Sequence, residues 1–290
     1  MMIGKSWGEK IADVCIYAVM LLLMLAMVYP VWYVIVASFS NSTEIAKNPG
    51  IMFWPKTFEL QAYRMVFVHP MFRRGFLNTI RILAVGIPLS MFLTLLCGYF
   101  MSLKGMKLKG ILVGLITFTM FFGGGLIPDY LNIKSLGLTD TLWSLIVPGA
   151  LSVYNAIICK TAIQALPDSL SESAYIDGAS DIRIMFQIVT PLIKPTLAVL
   201  TLYYTVGKWN NWFSASIYIR KEELMPIQNV LRGILLSNSQ DDGLRGDQYD
   251  KFAETIKYAA IVISSIPIMC IYPFLQKYFT KGVMIGAVKG

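Results

Sequence analysis

The feature that most constrains this chain is a succession of apolar runs long enough to cross a lipid bilayer. The first run, residues 14–37, contains no charged residue. A helix needs about 20 mainly apolar residues to span the hydrocarbon core, where only helices and closed barrels satisfy their backbone polar groups. The 290 residues are 56% hydrophobic and 14% charged, whereas soluble domains carry about a quarter charged residues. The sequence therefore predicts an all-α protein that crosses the membrane several times.

The apolar runs predict six membrane-spanning helices. Their approximate bounds are 14–37, 79–101, 111–122, 141–161, 196–217 and 258–278. An aromatic belt at Tyr29, Trp32 and Tyr33 marks one interface of the first helix. No small-residue cleavage site follows this run, which favours a retained span over a removed signal peptide.

The loop between the second and third predicted spans indicates the orientation. Residues 102–109 contain Lys104, Lys107 and Lys109 and no acidic residue. Short loops rich in lysine and arginine face the cytoplasm. With six spans, both termini and the loop between the fourth and fifth spans are then also expected in the cytoplasm.

That cytoplasmic loop, residues 165–195, is a polar interval of about thirty residues between two apolar runs. Ser169 and Glu172 have the spacing of a capping box, in which each side chain satisfies a free backbone N–H at a helix start. Gly178 supplies the left-handed residue that commonly ends a helix. The sequence therefore predicts a short helix over residues 170–177.

The predicted loop helix has two chemically different sides. Ala174 and Tyr175 belong to an apolar side at helical spacing, and Glu172 and Asp177 to an acidic side. A second helical piece is predicted over residues 180–189. A helix of this kind outside the membrane suits a groove on a partner protein; an ordinary loop helix at the interface is the alternative.

Composition and motifs argue against several classes of function. The net charge is +8, but the basic residues are spread along the chain without the aromatic-basic array of a nucleic-acid groove. His69 is the only histidine, so no histidine-based metal site or catalytic dyad can form. The four cysteines lie in apolar runs without a CxxC pair and are predicted to be packing residues. They are Cys15, Cys97, Cys159 and Cys270.

No catalytic motif is present. Gly4, Lys5 and Ser6 resemble the end of a phosphate-binding loop, but the glycine that begins this motif is absent. The sequence also lacks a GxSxG elbow, an HExxH helix and a paired-carboxylate signature. The acidic residues within 241–250 do not have the spacing of an EF-hand loop and are predicted to be solvated.

The polar interval resembles the EAA loop of binding-protein-dependent ABC importer permeases. In that pattern Glu-Ala-Ala is followed by a glycine and, after nine intervening residues, by an isoleucine and then a proline. The residues in register here are Glu172, Ala174, Asp177, Gly178, Ile188 and Pro191. Ser173 departs from the pattern but is small enough to pack in the same place. The segments 122–155, 209–219 and 276–290 are similar to the carbohydrate-uptake branch of the family, and the likeness covers about residues 11–290.

The resemblance implies a type I ABC importer transmembrane domain with a cytoplasmic EAA coupling helix. Such a permease pairs with a second, homologous permease as a heterodimer, docks two cytoplasmic ABC ATPase subunits, and receives substrate from an extracellular or periplasmic solute-binding protein. ATP and Mg²⁺ would bind the ATPases, so this chain is expected to hold no cofactor and not to be an enzyme. Glu172 and Asp177 would orient the ATPase, and Ala174 and Gly178 would allow its close approach.

The expected function is the ATP-driven import of a sugar, in particular an oligosaccharide, across the cytoplasmic membrane of a bacterium. The domain division that follows is a leader, first span and external segment (1–74), a five-span core (75–278) and a cytoplasmic tail (279–290). Membrane lipid is an expected partner and nucleic acid is not. The basic tail would either reach toward the ATPase interface or anchor to anionic lipid.

The fifth predicted span carries the candidate substrate pathway. Polar residues at membrane depth are costly unless they face a cavity or a partner. Aromatic rings with neighbouring amides suit a sugar, whose C–H face stacks while its hydroxyls form hydrogen bonds. The candidate residues are Tyr203, Trp209, Asn210, Asn211 and Trp212, with Tyr204 and Lys208 beside them. The alternative is that the tryptophans form an interfacial belt and the lysine extends to the interface.

Two other functional classes remain as alternatives. A secondary transporter driven by an ion gradient would need carboxylates inside its spans, and only Asp13 lies near one, at its edge. A membrane enzyme would need reactive residues that the sequence lacks. A last candidate feature is the triple glycine 123–125, which is either part of an external gate or a plain helix end.

Overall fold

The computed structural model describes residues 7–47, 50–105, 107–236, 254–271 and 273, and within these ranges every regular element is helical. The α-helices are α1 (Trp7–Ser38), α2 (Ser42–Lys47), α3 (Gln61–Val68), α4 (Pro70–Ser102), α5 (Lys109–Phe121), α6 (Leu126–Ser135), α7 (Trp143–Ile146), α8 (Val153–Gln164), α9 (Asp168–Ile176), α10 (Asp181–Arg183), α11 (Thr190–Leu192), α12 (Lys194–Trp209), α13 (Trp212–Tyr218), α14 (Ile227–Leu236) and α15 (Glu254–Ile271). A π-helix (Ile184–Val189) joins α10 to α11, and a 3-10 helix (Glu222–Leu224) precedes α14. The predicted all-α membrane class is confirmed.

The described residues contain three helices long and apolar enough to cross a membrane: α1, α4 and α15. Two further candidate spans are bent pairs. The first is α5 with α6, bent by 112°, and the second is Asp181–Leu192 with α12, bent by 86°. The first, second and sixth predicted spans coincide with the three long helices. The Gly4-Lys5-Ser6 leader, the acidic stretch within 241–250 and the tail 279–290 lie outside the described residues.

The fourth predicted span, 141–161, is wrong as a continuous helix. The chain forms α7, leaves the helical conformation, and begins α8 only at Val153. Pro148 lies in this interruption and Gly149 has φ +71°. Proline removes a backbone hydrogen-bond donor, and a glycine in the left-handed region turns the chain. The segment is therefore apolar enough for a span, but its helix is broken.

The structure divides into two compact units. The first consists of residues 1–69 and 233–265. Its buried core is formed by Val36, Ala37, Ile45 and Met52. Tyr33 on α1 packs edge-on against Tyr258 on α15 with ring centroids 5.8 Å apart, and the Thr255 hydroxyl donates to the Ser40 carbonyl at 3.1 Å. These contacts fasten the start of α15 to the end of α1.

The predicted aromatic belt of α1 also has a structural role in the first unit. The Tyr29 hydroxyl donates to the Gly50 carbonyl and the Trp32 indole N–H donates to the Phe53 carbonyl, both at 2.9 Å. An apolar ring with a polar tip suits the interface between membrane and water. The two hydrogen bonds hold residues 50–53 against the C-terminal part of α1.

The second unit, residues 70–232 and 266–290, is built around α4. One face of this 33-residue helix carries four small buried residues at every fourth position, which we call the small-residue row: Gly86, Ser90, Thr94 and Gly98. Residues four apart lie above one another on a helix face. Small residues there let neighbouring helices approach closely within a membrane.

The closest of these approaches is between α4 and α8. A Cβ added to Gly98 would lie 2.8 Å from the Cys159 Cβ and 3.2 Å from the Ala156 carbonyl oxygen. Cys159 is fully buried in an apolar cluster with Leu95, and among the described residues it forms no disulfide. It is the packing residue that the sequence predicts.

We therefore expect Gly98→Ala to destabilise the protein, because the added methyl group overlaps α8 and forces it outward. Overpacking of this kind costs about 1–3 kcal/mol. The control is Gly114→Ala on α5, where no atom lies within 4 Å of the added Cβ. Thermal unfolding of the purified protein in detergent should show a lower Tm for Gly98→Ala only. Equal Tm values for the two variants would contradict the close packing.

Candidate functional site

The helix predicted on the polar loop is present as α9, Asp168–Ile176, but it begins earlier than expected. Pro167 occupies the N-cap with extended dihedral angles, and no side chain caps the helix. The predicted capping box of Ser169 and Glu172 is therefore wrong. Pro167 takes the N-cap position itself, and Asp168 places a negative charge in the first turn, where the helix dipole favours it.

The end of α9 is as predicted. Gly178 has φ +77° and follows the C-cap residue Asp177. The Ala179 N–H donates to the Ala174 carbonyl at 2.9 Å and the Gly178 N–H donates to the Tyr175 carbonyl at 3.0 Å. This pair of hydrogen bonds is a Schellman motif, which requires the left-handed residue at the glycine position.

A carboxylate anchors α9 to α4. Asp181 accepts a hydrogen bond from the Tyr175 hydroxyl at 2.5 Å and another from the Tyr99 hydroxyl, on α4, at 3.3 Å. The hydrogen bond to Asp181 raises the pKa of Tyr175 above its ordinary value, so the phenol remains a donor. An exposed ion pair between Lys104 and Asp168, 2.6 Å long, adds little stability but places α9 beside the lysine loop.

The predicted coupling residues divide into buried and exposed ones. Ala174 is 7% exposed and belongs to the buried cluster of Ile184 and Met185. Its small side chain therefore sets how closely α9 lies on this chain's own core, and its role in the approach of a partner stays a prediction. Ile188 is half-buried, and the exposed residues are Glu172, Asp177, Gly178 and Pro191. Ile176, not singled out from the sequence, is 87% exposed at the end of α9.

The second piece of the loop, predicted as a helix over 180–189, is helical but irregular. Ser180 caps α10 by accepting from the Arg183 N–H at 3.4 Å. A π-helix then follows from Ile184, and the Thr190 hydroxyl donates to the Met185 carbonyl at 2.7 Å. The wider π-helical turn, common at functional sites, ends where Pro191 enters α11.

A cavity of about 900 Å³ lies in the second unit. It is bordered by the interruption between α7 and α8, by the last turns of α12, and by α13. Its lining includes four tyrosines and two asparagines: Tyr154, Tyr203, Tyr204, Tyr218, Asn155 and Asn211. Ring faces and amides converge on it, which is the chemistry expected for a sugar.

The structure divides the candidate substrate-pathway residues. Tyr203 and Asn211 line the cavity, as do the neighbouring Tyr204 and Lys208. Trp209, Asn210 and Trp212 do not line this cavity, and their place in the pathway stays a prediction. Trp209 is 2% exposed and packs edge-on against Phe76 at 5.9 Å, because it points from α12 into the helix core. The Arg232 guanidinium lies over the Trp212 ring, with its Cζ 4.3 Å from the ring centroid.

Other lining residues were missed because the fourth span was predicted as continuous. Ser144, Tyr154 and Asn155 reach the cavity from the two sides of the interruption. The signal that marks them is the Pro148-Gly149 pair, since an apolar segment interrupted by proline and glycine commonly borders a binding site in transporters.

The Tyr204 hydroxyl joins three parts of the cavity wall. It lies 2.6 Å from the Thr94 hydroxyl on α4 and accepts from the Ser152 N–H, at the start of α8, at 3.0 Å. Tyr204 is buried, whereas Tyr203, next to it on α12, is 45% exposed. The two tyrosines therefore have different roles, one structural and one facing the cavity.

A carboxylate fixes the end of α13, where Tyr218 lines the cavity. Asp140, with φ +56°, accepts from the backbone N–H groups of Arg220 at 2.6 Å and Lys221 at 3.1 Å. These hydrogen bonds lower the pKa of Asp140. Its own N–H donates to the Tyr218 carbonyl at 2.9 Å, which fixes the end of α13 beside the cavity.

The all-α membrane fold, the helix exposed on a polar loop and the cavity define a membrane transport subunit. The family of binding-protein-dependent transport system inner membrane components matches residues 1–285. The chain belongs to this family, and the resemblance to a carbohydrate-uptake ABC permease is confirmed.

Two relatives from Bacillus subtilis (strain 168) match nearly end to end. The chain is 39% identical over 288 residues to the polygalacturonan/rhamnogalacturonan transport system permease protein YtcP, covering 97% of this chain and 99% of the relative. It is 42% identical over 266 residues to Protein LplC, covering 91% and 90%. Both matches therefore extend over at least 90% of each chain.

Solved structures show the same fold. A chain of a bacterial ABC transporter involved in the import of the acidic polysaccharide alginate superposes with a TM-score of 0.89 at 28% identity, over 96% of this chain and 100% of that chain. A chain from a bacterial alginate ABC transporter in complex with an alginate pentasaccharide-bound periplasmic protein has a TM-score of 0.54 at 17% identity, over 93% and 95%. The second likeness concerns the fold alone.

We expect Tyr204→Phe to destabilise the protein by about 1–3 kcal/mol, because it leaves the half-buried Ser152 N–H and the buried Thr94 hydroxyl without this partner. Tyr203→Phe is the matched control, since no described residue accepts a hydrogen bond from that hydroxyl. Thermal unfolding in detergent should show a lower Tm for Tyr204→Phe than for Tyr203→Phe. The reverse order would show that the Tyr204 hydroxyl does not hold the wall.

Proposed function

We propose that this chain is the permease subunit of an ATP-driven ABC importer that moves an oligosaccharide across the cytoplasmic membrane by alternating access. The observation that carries the proposal is α9, an exposed helix whose end and anchor are both fixed by hydrogen bonds to its own unit. Its outer surface presents Ile176, Glu172 and Asp177. An apolar side chain flanked by carboxylates suits insertion into a groove with apolar and basic lining.

In this proposal the nucleotide chemistry belongs to two partner ATPases, which bind ATP and Mg²⁺. The contribution of this chain is mechanical. A displacement of α9 reaches α4 through the hydrogen bonds of Asp181 to Tyr175 and Tyr99. On α4, Thr94 contacts the cavity wall through Tyr204, and it lies about 8 Å along the helix from Tyr99 at 1.5 Å per residue. One stiff helix thus connects the proposed docking site to the cavity.

The lysine loop supports the proposed orientation. The Lys104–Asp168 ion pair brings α9 to the same end of the unit as Lys104. The positive-inside rule assigns that end to the cytoplasm, where an ATPase would meet α9. Both termini are then cytoplasmic if six spans are present.

The proposed partners are a second, homologous permease, two ATPases, an external solute-binding protein and membrane lipid. The family description supports delivery by a binding protein. The names of the relatives and the alginate importers support an oligosaccharide as the substrate. An ion-coupled secondary transporter is not favoured, because neither α12, which lines the cavity, nor α4, which packs against α12, contains an acidic residue that could carry a coupling ion.

The experiment uses the full complex in proteoliposomes, reconstituted with the proposed second permease, ATPases and binding protein. A residue with a branched side chain is disfavoured in the left-handed region by about 1–2 kcal/mol, which corresponds to about tenfold in an equilibrium. We therefore expect Gly178→Val to turn the end of α9 and to lower ATP-dependent sugar uptake about tenfold, while ATPase activity loses its dependence on substrate.

The matched control is Gly137→Val. Gly137 has φ +67° and ends α6 with the same two Schellman hydrogen bonds, made to Ile133 and Lys134. It carries the same backbone penalty away from α9 and should retain coupled uptake. Equal losses in both variants would show a general stability effect, which contradicts coupling through α9. Uptake that continues without ATP hydrolysis and follows an ion gradient would contradict the proposed function itself.

A further inference from the structure

The cavity is lined by one charged side chain among the residues that the structure describes, Lys208 near the end of α12. Its Nζ donates to the Ile146 carbonyl oxygen at 3.4 Å. Within the described part of the chain, no carboxylate lies within ion-pairing distance of it. The ammonium group is therefore held by a backbone dipole and left without a counter-charge from this unit.

The small-residue row fixes where this lysine lies. A Cβ added to Gly86 would be 3.1 Å from the Cδ and Cε atoms of Lys208 and 3.3 Å from its Nζ. The absence of a side chain at Gly86 lets the lysine stem lie flat against α4. Gly86 is 16 residues from Pro70 and 16 residues from Ser102, so the ammonium lies beside the midpoint of a helix long enough to span the membrane.

A lysine in this position is not an interfacial anchor. Near a helix end, a lysine usually extends its charged group toward the interface. Here the stem runs across the unit to Gly86 and Ile146. Charged residues at membrane depth are costly, and they usually face a water-filled cavity or pair with an opposite charge. Lys208 faces the cavity, so the opposite charge fits best on a molecule that enters it.

The chemistry of the surrounding wall identifies that molecule. Tyr154 and Tyr203 supply exposed ring faces, and Asn155 and Asn211 supply amides that both donate and accept. The volume of about 900 Å³ is near the upper end of the range of about 300–1,000 Å³ for small-molecule sites. Rings, amides and one cation suit a chain of sugars that carries carboxylates.

We propose that Lys208 binds a carboxylate of a uronic-acid oligosaccharide as it passes through this permease, and that Gly86 positions the lysine for this contact. The proposal rests on the proposed function, since it specifies the substrate of the same cavity. It assigns charge selectivity to this chain itself, in addition to any selectivity of the external binding protein.

The test measures direct binding, without the solute-binding protein. Labelled trigalacturonate and its carboxyl-reduced, neutral counterpart of the same length are bound to the purified complex in nanodiscs by equilibrium dialysis. We expect the wild-type complex to prefer the acidic trimer, and higher salt to weaken that preference. Lys208→Gln should weaken binding of the acidic trimer about thirtyfold or more, as expected when one partner of a buried charge pair is removed, and leave the neutral trimer unchanged.

Two variants control for charge and for assembly. Lys208→Arg keeps the cation and should retain the preference for the acidic trimer. Lys134→Gln, an exposed lysine on α6, should behave as the wild type. If Lys208→Gln does not assemble, the preference of the wild type and its salt dependence still decide the question. A wild type that binds both trimers equally overturns the proposal.

Two further results would also overturn it. The first is a Lys208→Gln complex that keeps the preference for the acidic trimer. The second is a Lys208→Gln complex that loses both trimers alike, which would mean that the lysine supports the structure or pairs with the second permease. Failure of the proposed function has a different signature: the preference for the acidic trimer is present, but ATP-dependent uptake of oligosaccharides is absent from the wild type.

Discussion

The second unit depends on close packing along one face of α4. Its small-residue row places a small residue at each of four successive helical turns. At three of them a different neighbouring group packs against the small residue. Gly98 admits α8, Thr94 meets the Tyr204 hydroxyl, and Gly86 admits the stem of Lys208. In a membrane, where lipid is as apolar as the helix surfaces, such packing and buried hydrogen bonds replace the hydrophobic effect as the force that holds helices together.

The same helix gives the unit its mechanical continuity. The Asp181 carboxylate joins α9 to Tyr99, close to one end of α4, and Gly86, in the middle of α4, lies against the stem of the cavity-lining Lys208. Between Gly86 and Tyr99, α4 is a continuous helix that contains Pro88. The irregular elements lie elsewhere, in the π-helix after α10 and in the interruption before α8. In the proposed mechanism, α4 is the element through which a displacement of α9 would reach the side chains that line the cavity.

The sequence predicts the features that follow from composition or from a single backbone requirement. The apolar runs identify α1 and α4, and Gly178 identifies the end of α9, because a left-handed residue needs glycine. Prediction from the sequence fails where two local signals compete. Pro167 displaces the predicted capping box, and the Pro148-Gly149 pair breaks an apolar run that was long enough to span. The direction of side chains is harder still, since neighbours on a helix point about 100° apart.

Lys208 and Trp209 illustrate this last difficulty and its physical resolution. They are adjacent in sequence, yet Trp209 is buried against Phe76 while Lys208 lines the cavity. The aromatic ring gains from complete burial, whereas the ammonium must keep a polar environment. Only one side of α12 offers that environment, and it is the side where α4 has a glycine. The position of one glycine on a neighbouring helix thus decides which residue of the pair can meet a substrate.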